Sequence, residues 1–131
     1  MEPFIFLTLE EILQIHEDQI RRYGGSSGVR DFGLLQSALA MPMAQFEGVY
    51  LHPDIFAMAA AYLFHITGNH PFLDGNKRVG IVSAIVFLKL NGYSLNADED
   101  LLEEVVLSVA RSEIGKEEIS AFFKNNSHIV K

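Results

Sequence analysis

The chain has 131 residues, a formal net charge of −7, 49% hydrophobic residues and no cysteine. That length fits one domain over residues 1–131, able to bury its own core, and the missing cysteines remove disulfides, thiolate metal sites and cysteine nucleophiles while suiting a reducing cytoplasm. The acidic balance would repel a polyanion, so direct nucleic-acid binding is not expected.

The first residues, Met1-Glu2-Pro3-Phe4-Ile5-Phe6-Leu7, lack a basic n-region and carry too short an apolar run for a signal peptide. The longest apolar blocks, residues 55–66 and 79–88, fall short of the roughly 18 to 20 residues that cross a bilayer. Both read as buried core helices, with no role for a membrane.

In chain order, Thr8-Leu9-Glu10-Glu11 is a capping box that opens a first helix, and Leu9, Ile12, Leu13, His16 and Ile20 recur at helical spacing behind it. Gly24-Gly25-Ser26-Ser27-Gly28 stops that helix. With no following Lys-Ser/Thr and no preceding strand, this run reads as a flexible connector rather than a phosphate cradle. Residues 31–41 form a second, shorter helix that ends before Pro42. Residues 42–52 have no clear period, and two readings stand: a binding loop or lid, or an ordinary connector packing Phe46 and Leu51 inward.

Pro53-Asp54 begins a third helix, apolar on every side over residues 55–66 and ended by Gly68-Asn69. A fourth begins at Asn76 or Lys77, is again apolar all round, and ends at Asn91-Gly92. Asn96 with Glu99 is expected to cap a fifth helix, Gly115 introduces a sixth, and residues 125–131 read as a frayed tail. Phe4 to Leu7 or Val49 to Leu51 can form a short strand, but no strand pair is convincing. The expected fold is all-α: a helical bundle of about six helices around a buried central hairpin of helices three and four.

Between those two helices lies His70-Pro71-Phe72-Leu73-Asp74-Gly75-Asn76-Lys77-Arg78. Polar residues at such a junction are held rigidly and are costly unless used. A helix N-terminus preceded by a glycine turn offers unpaired N–H groups and the positive end of a dipole to an anion, so Gly75 and Asn76 make an anion-binding concavity. Lys77 and Arg78 follow about 100° apart around the axis and cannot point the same way. Arg78 is assigned to inner phosphates and Lys77 to another part of a triphosphate. Asp74, the one acid of the loop, is the Mg²⁺ candidate, and His70 the candidate general base. Phe72 is expected to turn inward and anchor the loop.

Plainer readings stand beside these. A lone histidine is more often structural than catalytic, and Asp-Gly alone is a common turn; the combination favours a site. His65 offers a metal site with His70 and Asp74, or a satisfied core histidine, and the second reading is preferred. His16, His52 and His128 carry no supporting context.

The run from His70 to Arg78, followed by Val79-Gly80 and by Phe87-Leu88-x-x-Asn91-Gly92-Tyr93, resembles the signature of the Fic/Doc family. The resemblance implies that His70 is the base, Asp74 binds Mg²⁺, Gly75 with Asn76 forms the anion hole and Arg78 holds nucleotide phosphates. Two departures from the AMP-transferring pattern, Lys77 in place of glycine and Ile81 in place of a second arginine, resemble the Doc (death-on-curing) branch instead. Gly75 departs from that branch, which tends to have alanine there.

Resemblance to that branch implies an ATP- and Mg²⁺-dependent kinase that passes the γ-phosphate to a hydroxyl, a threonine of a translation factor such as elongation factor Tu, and acts as the toxin of a toxin–antitoxin pair. It implies a Phd-like antitoxin whose C-terminal segment folds onto the domain, and a flap at residues 42–52 that pins an extended target chain. The Ser/Thr-x-x-x-Glu helix of self-inhibited relatives has no counterpart in the sequence. The bulk of Lys77 where an α-phosphate and ribose would pack favours the same branch. The rival readings are transfer of AMP to a protein hydroxyl and a non-catalytic interaction module.

Overall fold

The computed structural model describes residues 4–130. Six helices dominate it, in agreement with the all-α expectation. Helix α1 (Leu9–Tyr23) starts at the capping box: Thr8 Oγ1 accepts from Glu11 N at 3.1 Å and Glu11 Oε1 from Thr8 N at 2.8 Å. In α2 (Phe32–Ala40) the cap is Asp31, which accepts from Leu34 N. Asp54 likewise caps α3 (Ile55–Asn69) by accepting from Ala57 N. Satisfying these orphan N–H groups fixes where each helix begins.

α3 is the centre of the molecule, touching α2 together with α4 (Asn76–Leu90), α5 (Glu99–Ala110) and α6 (Lys116–Asn126). Its Met58, Ala59, Ala60, Tyr62, Leu63 and Ile66 are fully buried, as an all-apolar helix must be. Its partner in the hairpin, α4, buries Val79, Ala84, Phe87 and Leu88 but leaves Ile81 and Val86 half-buried. The two helices pack closely at Gly80, where a Cβ would stand 2.8 Å from Thr67 Oγ1 and 3.2 Å from Leu63 Cδ1.

Several expectations need correction. Strands β1 (Gln45–Phe46) and β2 (Val49–Tyr50) form an antiparallel hairpin inside residues 42–52. Its turn, Glu47-Gly48, has positive φ at both positions (52° and 80°), the twist that suits a two-residue hairpin. Phe46 and Leu51 are 67% and 56% exposed, so the connector that packs them inward is not what forms. A second antiparallel pair joins β3 (Tyr93–Leu95) to β4 (Ser127–Ile129), in the register Tyr93↔Ile129 and Leu95↔Ser127.

The tail expected to fray instead ends α6 at Asn126 and continues as the strand Ser127–Ile129, while Lys131 lies outside the described residues. Asn96 N donates to Asn126 O at 2.7 Å and Val130 N to Gly92 O at 2.8 Å, extending the pairing beyond both ends. Asn96 does not cap α5. The cap position is Asp98, while the Asn96 amide lies 3.0 Å from His128 Nδ1 across the sheet. Residues 4–7 are not a strand. They pack along the edge of the core, Leu7 N donating to the buried Tyr62 hydroxyl at 3.0 Å and the Phe6 ring stacking on Phe87.

Candidate active site

The hairpin turn between α3 and α4 carries the loop of interest, and its shape follows from three local choices. His70 is the C-cap of α3 in the left-handed region (φ 51°, ψ 52°), a conformation that costs a non-glycine residue energy. Gly75 is the N-cap of α4 at φ 81° and supplies no side-chain cap. α4 therefore opens with its first N–H groups, those of Asn76, Lys77 and Arg78, uncapped by any side chain of the turn. Between them Phe72 is buried, 1% exposed, and anchors the loop as expected.

Asn76 holds the loop closed. Its Oδ1 accepts from Phe72 N at 2.9 Å and its Nδ2 donates to Phe72 O at 3.0 Å, which fixes the orientation of the amide. The same Nδ2 lies 2.9 Å from His70 Nδ1. Since the amide presents its N–H there, Nδ1 is the acceptor and the neutral imidazole carries its proton on Nε2. The Asn76 side chain is thus engaged with the loop itself, and its backbone N–H is what it offers to an anion.

Asp74 is exposed, and its carboxylate receives N–H groups from both directions: Gly75 N on Oδ1 at 2.9 Å and Ser26 N on Oδ2 at 3.3 Å. The Gly24–Gly28 run lies against this acid instead of hanging free. A Cβ on Gly25 would be 2.7 Å from Asp74 Oδ2, so only glycine allows the approach. Beneath, the buried His16 donates from Nε2 to Asp74 O at 3.0 Å and lies flat on Phe72, ring centroids 3.9 Å apart.

A single carboxylate with a lone pair left on each oxygen suits Mg²⁺, which takes one or two protein carboxylates plus phosphate oxygens and water. It does not suit a cation needing an all-protein cage. Among the described residues no group of three or more His, Cys, Asp or Glu converges on a point.

Lys77 and Arg78 do point apart. Arg78 turns towards the end of α1, where its guanidinium donates to Gly24 O at 3.1 Å and lies 5.5 Å from the centre of the Tyr23 ring. Lys77 is exposed and bridges two cavities. One, of about 380 Å³, is lined by His70, by the loop from Leu73 through Arg78, by Thr67 and by the end of α5 at Val109 and Ala110 with Ser112 just beyond it. The other, of about 460 Å³, is mainly apolar and lies between α4 and α5, lined by Ile81, Leu102, Val106 and Leu107 among others. The first brings together all five predicted catalytic residues and Gly75.

His65 is not among them. Its Nε2 and that of His52 each lie 3.1 Å from Lys116 Nζ, which donates to both. Burial, then the Lys116 charge, lowers both imidazoles, His65 to about 4. His52 thereby ties the foot of the β1–β2 hairpin to α3 and α6.

Sequence reasoning set His16 and the glycine run holding Gly25 aside, and passed over Arg30 and the end of α5. For His16 a signal existed: a histidine on the apolar face of an amphipathic helix must find a polar partner when buried. No local pattern marked the others.

An uncapped helix start, a carboxylate and two cations thus gather around one cavity of a helical protein. The chain belongs to the Fic/Doc family, whose sequence model matches residues 6–88. It is similar to a protein called Toxin Doc from Mycolicibacterium smegmatis, 44% identical over 89 residues that cover 63% of this chain and 68% of that one. It is also similar to one called Protein kinase doc from Escherichia phage P1, 32% identical over 110 residues covering 82% and 84% of the two chains.

Proposed function

We propose that the protein is the toxin of a toxin–antitoxin pair and acts as an ATP-dependent protein kinase inside the cell. The observation that carries this reading is the loop geometry at the start of α4, with Asp74, Lys77 and the uncapped N–H groups lining one cavity. The names of the relatives, one a toxin and one a protein kinase, support it.

The N–H groups of Asn76, Lys77 and Arg78 would receive phosphate oxygens, and Lys77 and Arg78 would balance their charge. Asp74 would hold Mg²⁺, which when bound neutralises charge on the phosphates and aligns them. A target hydroxyl oxygen attacks the γ-phosphorus, the bond to the β–γ bridging oxygen breaks, ADP leaves, and the hydroxyl proton passes to His70. For that, the basic nitrogen Nδ1 must first leave the Asn76 amide. In-line alignment and charge stabilisation supply most of the acceleration in such transfers.

The proposed target is a threonine of elongation factor Tu, so translation stops. The exposed β1–β2 hairpin, with Phe46 and Val49 at 67% and 68% exposure, offers an edge to an extended target segment. Restraint comes from a Phd-like antitoxin. AMP transfer is the second reading, favoured by Gly75 where the Doc branch tends to have alanine.

Controlled expression without an antitoxin tests the proposal. Growth arrest with a phosphate on elongation factor Tu, both abolished by His70→Ala, is the expected result. No arrest and no ATP-Mg binding would favour a non-catalytic module.

A further inference from the structure

We propose that Arg30 is the residue that positions His70, acting through the backbone of the loop; this rests on the reading of His70 as the base. Arg30 Nε donates to His70 O at 2.6 Å, and its NH2 group to Asn69 O at 3.0 Å. One guanidinium thus closes the carbonyls of the last residue of α3 and of its C-cap, at the negative end of the helix dipole.

The backbone around Arg30 continues the same clamp. Arg30 N and Asp31 N both donate to Pro71 O, at 2.7 and 3.0 Å, Val29 pairs with Phe72 as an antiparallel bridge, and Leu73 N donates to Gly28 O at 3.1 Å. Asn69 Nδ2 donates to Leu34 O at 3.0 Å, fixing the end of α3 to α2. Residues 28–31 therefore run alongside residues 70–73 as a rail.

A rail of backbone bonds does not require arginine. What requires it is His70 itself, whose positive φ persists only if its surroundings hold it. No other side chain among the described residues bonds to the His70 carbonyl. Arg30 holds the carbonyls of both peptides that flank His70, and without it those peptides can rotate towards the ordinary helical or extended region and swing the imidazole with them. The ring's other hold, the Asn76 amide on Nδ1, is the one that catalysis must release. Arg30 is exposed and lies outside the cavity lining, so it does not touch the nucleotide.

The experiment compares Arg30→Ala and Arg30→Lys with the unaltered protein by imidazole ¹⁵N spectra and by initial rates of γ-phosphate transfer from ATP-Mg to purified bacterial elongation factor Tu. In Arg30→Ala the His70 signals should shift and broaden while those of His52 and His65 stay in place. kcat should fall about 10- to 100-fold, with KM for ATP changed less than about twofold, because misplacing a reacting group costs rate rather than affinity. Arg30→Lys, able to reach one carbonyl, should restore part of both and serves alone if the alanine variant does not fold. Unchanged His70 signals, or a loss expressed in KM, would overturn the proposal. Displaced His70 signals in a protein that transfers no phosphate even when unaltered would uphold the positioning and refute the kinase reading instead.

Discussion

His16 and Phe72 lie face to face, their ring centroids 3.9 Å apart and their planes within 9° of parallel, and His16 Nε2 donates to Asp74 O at 3.0 Å. One buried side chain of α1 thus supports both the hydrophobic anchor of the loop and the backbone of its acid. A stacked pair and a hydrogen bond are each worth about 1 kcal/mol, and the vacated space adds a cavity cost. His16→Ala should lower stability by about 2 to 4 kcal/mol in urea denaturation and weaken Mg²⁺-dependent nucleotide binding. Unchanged stability would remove His16 from the support of the site.

A second expectation concerns the α3–α4 contact. Gly80→Ala gains about 1 kcal/mol of helix propensity, but its Cβ would stand 2.8 Å from Thr67 Oγ1, and overpacking costs about 1 to 3 kcal/mol. The clash should win, with a net loss of about 1 kcal/mol. Thr67→Ala in the same chain should recover most of it, as residues in direct contact couple. Urea midpoints of the two single variants and the double variant measure this, and strict additivity would contradict the packing described.

Acid should weaken the protein through the Lys116 cluster. The folded pKa of His65, about 4, lies below its ordinary 6.5, chiefly through burial and then through the Lys116 charge. The unfolded chain therefore binds more protons between those values, so this stabilisation is complete above about pH 6.5 and is lost as pH falls towards 4. The nominal linkage is about 3 kcal/mol, reduced to ~1 to 2 kcal/mol because the ring is only half-buried. His52, lowered by the same causes, adds in the same direction. Stability measured from pH 7 to 4 should decline, and His65→Leu should flatten the decline; an unaltered slope would rule His65 out as its source.

How much of this was legible in the sequence depended on the range of each contact. The run from His70 to Arg78 is local, and a capping residue, a glycine turn and an inward phenylalanine declare their roles within a few positions. Arg30 and His70 are 40 positions apart, Ser26 and Asp74 48, and His16 and Asp74 58. Those contacts exist because α1 and the following rail fold back on the α3–α4 turn, which no periodicity encodes. The glycine and serine run read as a flexible connector because its partner, the Asp74 carboxylate, is distant in sequence. β4 was hidden for a related reason: Ser127–Ile129 is too short to announce itself until Tyr93–Leu95 lies beside it.

The state of the base is open to direct inspection. Because Asn76 Nδ2 donates to His70 Nδ1, imidazole ¹⁵N spectra of the free protein near neutral pH should show His70 protonated on Nε2. Adding a non-hydrolysable ATP analogue with Mg²⁺ should change that signal as the ring leaves Asn76. A proton on Nδ1 in the free protein would contradict the hydrogen-bond assignment.

The central claim is that this loop transfers the terminal phosphoryl group of ATP. Incubating the protein and elongation factor Tu with ATP labelled in either the α- or the γ-phosphate addresses it in one gel. The account predicts γ label on the target, none from α, and loss of the signal in His70→Ala. Label from the α-phosphate would mean that AMP is transferred and that Lys77 and Ile81 have been misread; label from neither, in a protein shown to bind ATP-Mg, would contradict catalysis on this target.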